Sequence, residues 1–248
     1  MSLSVPHSSP WVAGADAYPD GWVVALWHTS AARGRHRTVP DLSALLTLDE
    51  SPSVLGLDMI VGLPDRAVPG GRPCDRAARQ LLGRTRGTSV FSPPAYAVLG
   101  AETYDEAQRR NRASSPDAPG LSKQTYHLLP RLRAVAHHLT PDRQASVREV
   151  HPELSFYAMN DDTPLAESKH TDAGQRARLD LLTQHGFSED AVIASLDADG
   201  TVGIDDVLDA HAACWSARRL YRGTAERCPP VETDAPRNAR GLRMEIWR

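Results

Sequence analysis

The run Ser53 to Val61 is apolar at alternate and intervening positions alike, so a strand formed there has both faces buried. A strand of that kind needs helices on either side of its sheet, which points to an α/β layered architecture and away from a sandwich or a helical bundle. Within the same run stands Asp58. A buried carboxylate costs several kcal/mol, roughly, unless a cation or a set of donors meets it. Lys123 and Lys169 are the only lysines, so the sequence offers no obvious set of ammonium partners.

Three further aspartates stand where regular elements are expected. Asp16 closes the apolar run 11–15, and Asp206 and Asp209 are spaced i, i+3 at the start of an alanine-rich helical stretch. Residues at that spacing lie on one helix face with Cβ atoms about 5–6 Å apart, close enough to share an ion. Each acid also has an ordinary reading. Asp16 can cap the turn at 17–21, and Asp205 or Asp206 can cap the last helix or sit in its first turn. Turn chemistry does not place Asp58 inside an apolar strand.

The remaining pattern predicts a hairpin of strands 11–16 and 21–28, and a third strand at 36–39. A helix near 41–48 and the central strand 53–61 follow, then a helix at 73–83 with Pro73 at its start and Gly83 as its stop. Residues 84–100 read as an irregular connection. Helices follow at 103–112, 123–138, 153–160, 172–185 and 205–222, with a strand at 147–150 and a small closing strand at 242–247. Residues 1–10 are polar with two prolines and are expected to be disordered, leaving one domain over 11–248.

Hydrophobic residues make up 41% and charged residues 24% of the 248 positions, the balance of a globular domain large enough to need no disulfide staples. The net charge of -3 argues against a protein that coats nucleic acid through bulk electrostatics, although it leaves a local basic face open. Cys74, Cys214 and Cys228 are odd in number and lack C-x-x-C spacing, which fits a reducing compartment and no zinc site. With no signal-like N-terminus and no apolar run of about 20 residues, the expected location is the cytoplasm, without membrane contact. No P-loop, G-x-G-x-x-G or H-E-x-x-H motif occurs. Oligomeric state is not readable.

The segments GADAYPDGWVVAL at 14–26, VLGLDMIVGLPD at 54–65, GRPCDRAARQLLG at 71–83, SVFSPP at 89–94, EVHPELSF at 149–156 and DDVLDAHAACWSARR at 205–219 resemble, in order, the motifs of the domain-of-unknown-function 429 family. That resemblance implies a ribonuclease H-like fold, a mixed sheet flanked by helices, and a nuclease-like activity. It is also similar, more distantly, to the RuvC-type resolvases, whose acids follow the first strand, lie on the central strand and sit on a C-terminal helix. The matching residues are Asp16, Asp58, Asp206 and Asp209, the expected catalytic metal ligands. One departure is the turn Ala17-Tyr18-Pro19-Asp20, where the family opening has glycines and a basic residue.

Oxygen-only ligands suit Mg²⁺ or Mn²⁺, and two such ions about 3.5–4 Å apart serve phosphodiester hydrolysis. The expectation is a metal-dependent nuclease acting on DNA or RNA. The alternatives are a binding module on the same fold, or a hydrolase of a small phosphorylated metabolite. Glu149 is a further candidate ligand, with Glu153 beside it and His151 more ordinary as a structural histidine. Arg72 and Arg76 at a helix start, and Lys123 and Gln124 at another, are candidate substrate contacts, with Lys169 a weaker one. Ser89 and Ser92 lack a nucleophile elbow, so the loop around Phe91 and Pro93-Pro94 reads as a wall of the cleft.

Overall fold

The computed structural model describes residues 9–194 and 201–248. Strands β1 (Trp11–Tyr18), β2 (Gly21–His28) and β3 (Arg33–Val39) form an antiparallel meander, with the two-residue loop Pro19-Asp20 between the paired Tyr18 and Gly21. Helix α1 (Leu42–Leu45) leads to β4 (Val54–Leu57), which lies parallel to β1 in the register Gly14 to Gly56 and Ala15 to Leu57. Helices α2 (Pro73–Arg86), α3 (Tyr104–Ala113), α4 (Lys123–His127) and α5 (Leu129–His138) precede β5 (Val147–Glu149), parallel to β4. After α6 (Pro152–Met159), α7 (Asp172–Gln184), α8 (Glu189–Ile193) and α9 (Ile204–Arg222), the chain closes with β6 (Arg227–Cys228) and β7 (Ile246–Trp247). The sheet order β3-β2-β1-β4-β5, antiparallel then parallel, is the ribonuclease H-like α/β arrangement that the sequence pointed to.

Several boundaries differ from expectation for identifiable reasons. The central strand ends at Leu57, because Met59 N–H turns back to the Leu57 carbonyl at 2.8 Å, an i to i+2 bond that closes a γ-turn and lifts the chain out of the ladder. The helix expected over 123–138 is two helices, since Pro130 has no N–H to continue one and is well placed in the first turn of another. Gly83 does interrupt α2, with φ 60, but a further turn follows it to Arg86. The short α8 was not anticipated. Of the expected disordered segment, residues 1–8 lie outside the described residues, whereas Ser9 exchanges hydrogen bonds with Ser53 at 3.1 Å and 2.6 Å and Pro10 accepts one from Thr29 N–H.

Strand alternation sends the two halves of each strand to different cores. Ala13, Ala15, Val24, Leu26, Leu55 and Leu57 pack with residues of α1 and α5. Val12, Val23, Ala25, Trp27 and Val54 face the other way, onto α6, α7 and α9. Gly14 and Gly56 share this second face and are register partners. A Cβ on Gly14 would lie 1.9 Å from Cys214 N and 2.4 Å from Ala210 O, and one on Gly56 would lie 2.6 Å from Ala213 O. The backbone of α9 therefore rests directly on the sheet. Its contact stripe Ala210, Ala213, Cys214 and Ala217 is fully buried and made of small side chains, at the i, i+3, i+4, i+7 spacing of one helix face.

Alanine at Gly56 forces α9 away from the sheet, and Gly56→Ala is expected to cost about 1–3 kcal/mol or more in urea denaturation. Gly34→Ala, whose Cβ would meet its nearest neighbour at an ordinary 3.5 Å, is the control and should change stability little.

Candidate functional site

Two residues beyond Gly14, and two beyond Gly56, stands an aspartate. Alternation puts Asp16 on the same face as Gly14, and Asp58, whose N–H donates to the Ala15 carbonyl at 2.9 Å, carries the parallel pairing one residue past β4. The close seat of α9 brings Asp209 down beside them. One carboxylate oxygen from each of Asp16, Asp58 and Asp209 lies within 4.8 Å of the others, in a set that is buried at Asp16 and Asp209 and half-buried at Asp58.

The partners of these oxygens differ. Asp16 Oδ1 accepts from its neighbour's amide, Ala17 N–H, at 2.7 Å; the hairpin turn lies further on, at 18–21, so Asp16 does not cap it. Asp209 Oδ2 accepts from Lys169 Nζ at 2.7 Å, while Asp209 Oδ1 is buried with no partner among the described residues. Burial raises the pKa of all three acids, and each is raised further by a neighbouring acid. Asp58 is pushed up to about 6 by burial, against the lowering influence of His151 and with Asp209 adding to the rise. For Asp16 the next causes after burial are Asp58 and Asp209, and for Asp209 the Lys169 ammonium opposes the rise.

The cluster forms part of the wall of a cleft of about 620 Å³ at the carboxyl end of the parallel strands. Its other walls are the loop at 88–91, the junction of α4 and α5, the start of α6 and the segment 168–170. That last segment is a strap held largely by its own carbonyls. Arg86 donates to the Leu165 and Ala166 carbonyls, each at 2.8 Å, and Arg178, fully buried, donates to Glu167 O at 3.3 Å and to Glu153 Oε1 at 2.5 Å. Gly174 of α7 leaves room for the Ser168 carbonyl, which a Cβ would approach to 1.9 Å. The strap is thereby fixed with Lys169 reaching Asp209, and the cluster does have a lysine, contrary to the sequence reading.

Other expected site residues do not join the acid cluster, although Glu149, Arg72 and Gln124 line the same cleft. Asp206 is outside the cluster; its Oδ2 accepts the Gly203 N–H at 3.2 Å at the start of α9, the capping role that was its ordinary reading. Glu149 is not a ligand of the cluster. It pairs in register with Leu57, so it points to the sheet face opposite Asp58, and it accepts Val61 N–H at 2.8 Å and Arg72 Nη1 at 2.9 Å, with Arg72 Nη2 on its other oxygen.

Arg72 has no donor left for a substrate. Its guanidinium is about 1% exposed and is spent on Asp75, Glu149 and the Gly62 carbonyl. Arg76 bonds the Gly71 carbonyl and lines no part of the cleft; Gln124 does line it, and Lys123 beside it does not. The cleft's other cations are Arg86 and Arg131, the latter donating to the Tyr18 carbonyl at 2.5 Å; neither was singled out in the sequence. Among the described residues no helix is long and apolar enough to cross a membrane.

A family model described as a protein of unknown function (DUF429) matches residues 14–234, the span that holds every residue of the cluster and of the strap. No curated protein and no solved structure matches the chain.

If Arg72 is structural, Arg72→Leu strands two buried carboxylates and is expected to cost about 3–5 kcal/mol, whereas Arg76→Ala should stay within about 0.5 kcal/mol of wild type in the same denaturation assay. Asp58 gives a pH dependence with a definite sign. Its folded-state pKa of about 6 exceeds its ordinary 3.8, so the folded protein holds a proton that the unfolded chain releases. Without added metal, the stability of wild type relative to Asp58→Asn should fall as pH rises from about 4 to about 6; the comparison isolates Asp58 from His211, whose pKa burial lowers to about 4 and which acts with the opposite sign in that range.

Proposed function

The chain belongs to the family described as proteins of unknown function, DUF429, and we propose that it is a metal-dependent phosphodiesterase acting on nucleic acid. The observation that carries this reading is the convergence of Asp16, Asp58 and Asp209 from β1, β4 and α9, with Asp209 Oδ1 buried and unpartnered at the meeting point. Burial raises the pKa of all three acids, Asp209 raises both Asp16 and Asp58 further, and a buried carboxylate oxygen without a donor is costly, so the donor set fits a cation better than it fits its own company. Being all oxygen, it suits Mg²⁺ or Mn²⁺.

When bound, such ions activate water and stabilise a leaving oxygen. The chain's own contributions are separate. Asp16 and Asp58 are held by the sheet ladder and Asp209 by a helix that cannot shift without lifting off two glycines, so the ligand positions are set before any ligand arrives. Lys169, Arg86 and Arg131 line the cleft, where they offset part of the charge of its carboxylates Asp16, Asp58, Asp75, Glu149, Glu153 and Asp209, and a bound cation would supply the rest of what a phosphate backbone requires.

Lys169 also favours a second reading. Its ammonium already lies 2.7 Å from Asp209 and 3.9 Å from Asp205, so it supplies part of the counter-charge that a metal would bring. On that reading the fold binds nucleic acid or protein without turnover.

Calorimetric titration with Mn²⁺ and Mg²⁺, beside a cleavage screen on single-stranded, duplex and branched DNA and RNA, separates the two. Asp58→Ala is expected to weaken Mn²⁺ binding by more than the ~10–100-fold that loss of an outer-shell partner costs, and to abolish cleavage. Lys169→Met removes a competing cation and should tighten Mn²⁺ binding. Metal binding unchanged in both variants, with no cleavage by wild type, would leave the binding-module reading standing.

A further inference from the structure

The chain has three phenylalanines. Phe156 and Phe187 are core residues, about 1% and 4% exposed, while Phe91 is 39% exposed and lines the cleft that contains the acid cluster. A single exposed apolar side chain is ordinary on a protein surface. What distinguishes Phe91 is its mounting.

Arg79 of α2 holds the loop on both sides of the ring, donating to the Val90 carbonyl at 2.9 Å and to Ser92 Oγ at 2.8 Å, and it ties that loop to Gly70 O at 2.6 Å. Val90, Pro93 and Pro94 are buried, and two consecutive prolines restrict φ directly after the loop. The backbone on either side of Phe91 is thus fixed, and the ring is the part left facing outward. An aromatic face held in place loses little freedom when a flat partner covers it.

The same cleft carries Lys169, Arg86 and Arg131 among its carboxylates, with Lys169 paired to Asp209 and Arg86 to the strap carbonyls. A rigid aromatic ring beside cations matches a ligand that joins a flat apolar ring to phosphates, which is the chemistry of a nucleotide unit. In a duplex, both faces of each base are covered by stacking; only single strands, ends and extruded bases present a face to a side chain. A cleft of about 620 Å³ is also in the range of sites for compact ligands.

We infer that Phe91 is a stacking platform for an unstacked nucleobase, so that the cleft takes single-stranded nucleic acid in preference to intact duplex. This deepens the phosphodiesterase reading by naming its substrate class, and it rests on that reading only for turnover.

The test is fluorescence anisotropy in EDTA with a labelled oligonucleotide of about 12 nucleotides, presented as a single strand, as a duplex and as a strand of abasic units. Wild type, Phe91→Ala and Phe91→Trp are compared, with Mn²⁺-dependent cleavage measured in parallel. The expected result is single-strand binding weakened on the order of tenfold in Phe91→Ala, restored in Phe91→Trp, and no effect of Phe91→Ala on the abasic strand.

Single-strand binding that is unchanged in Phe91→Ala, or lost equally for the abasic strand, overturns the inference. The two readings fail separately. Base-dependent binding through Phe91 with no cleavage of any substrate sinks the phosphodiesterase and leaves the platform. Mn²⁺-dependent cleavage of duplex and single strand alike, equal in wild type and Phe91→Ala, sinks the platform and leaves the phosphodiesterase.

Discussion

Everything at the cleft depends on how closely α9 approaches the sheet. Two helices packed through ordinary side chains have axes about 8–10 Å apart, because the side chains hold the backbones away from each other. Here Gly14 and Gly56, side by side across parallel strands, remove the side chains that would hold α9 at such a distance, and its stripe of alanines and Cys214 adds none back. The same closeness that lets backbone meet backbone lets Asp209 meet Asp16 and Asp58. Packing and chemistry share one geometric cause, with the spacing Gly-x-Asp repeated in β1 and β4 as its sequence trace.

Around this contact the protein uses arginine as internal scaffolding. Arg72 ties the start of α2 to β5 through Asp75 and Glu149, Arg178 ties α7 to α6 through Glu153, and Arg148 pairs with Glu245 next to the closing strand. The planar guanidinium with its five donors can grip both oxygens of a carboxylate in a fixed plane and still reach one or two carbonyls, whereas a lysine has three donors on a single nitrogen. The two lysines are left for other positions, and one of them faces the acid cluster. Burial of such pairs is weak evidence for net stability, but losing one partner is costly, so these residues fix the cleft's walls against each other.

Much of this was legible before any coordinates. The apolar run around Asp58 announced a covered central strand, the hairpin pattern announced β1 and β2, and the acids at 16, 58 and 209 stood out by their places on strands and a helix face, although the same pattern pointed equally to Asp206, which caps α9 instead. What was not legible required knowing which side of the sheet a residue faces, or what lies across long stretches of chain. Glu149 looked like a ligand until its register with Leu57 turned it to the opposite face. Arg72 looked like a substrate contact because nothing local says that an arginine at a helix start will be buried. Lys169 meets Asp209 from 40 residues away, through a strap whose position is set by Arg86 and Arg178. Phe91 was seen only as part of a wall, since exposure of one ring is a property of the assembled surface.

The seat of α9 has a further consequence for how the chain comes into being. The sheet face formed by Val12, Val23, Ala25 and Trp27 is made from the first strands, but the helix that lies directly upon it starts at Ile204. Proteins are synthesised from the amino end at roughly 5–20 residues per second, so on the ribosome that face waits, without its final cover, for most of the chain to be made. During that interval the glycine gap is a groove on an unfinished molecule, and the three aspartates have not yet been forced together. The pairing of β1 with β4 already sets Asp16 beside Asp58, and the docking of α9 adds Asp209, so part of the cost of building the site is deferred until the chain through Arg222 has been made.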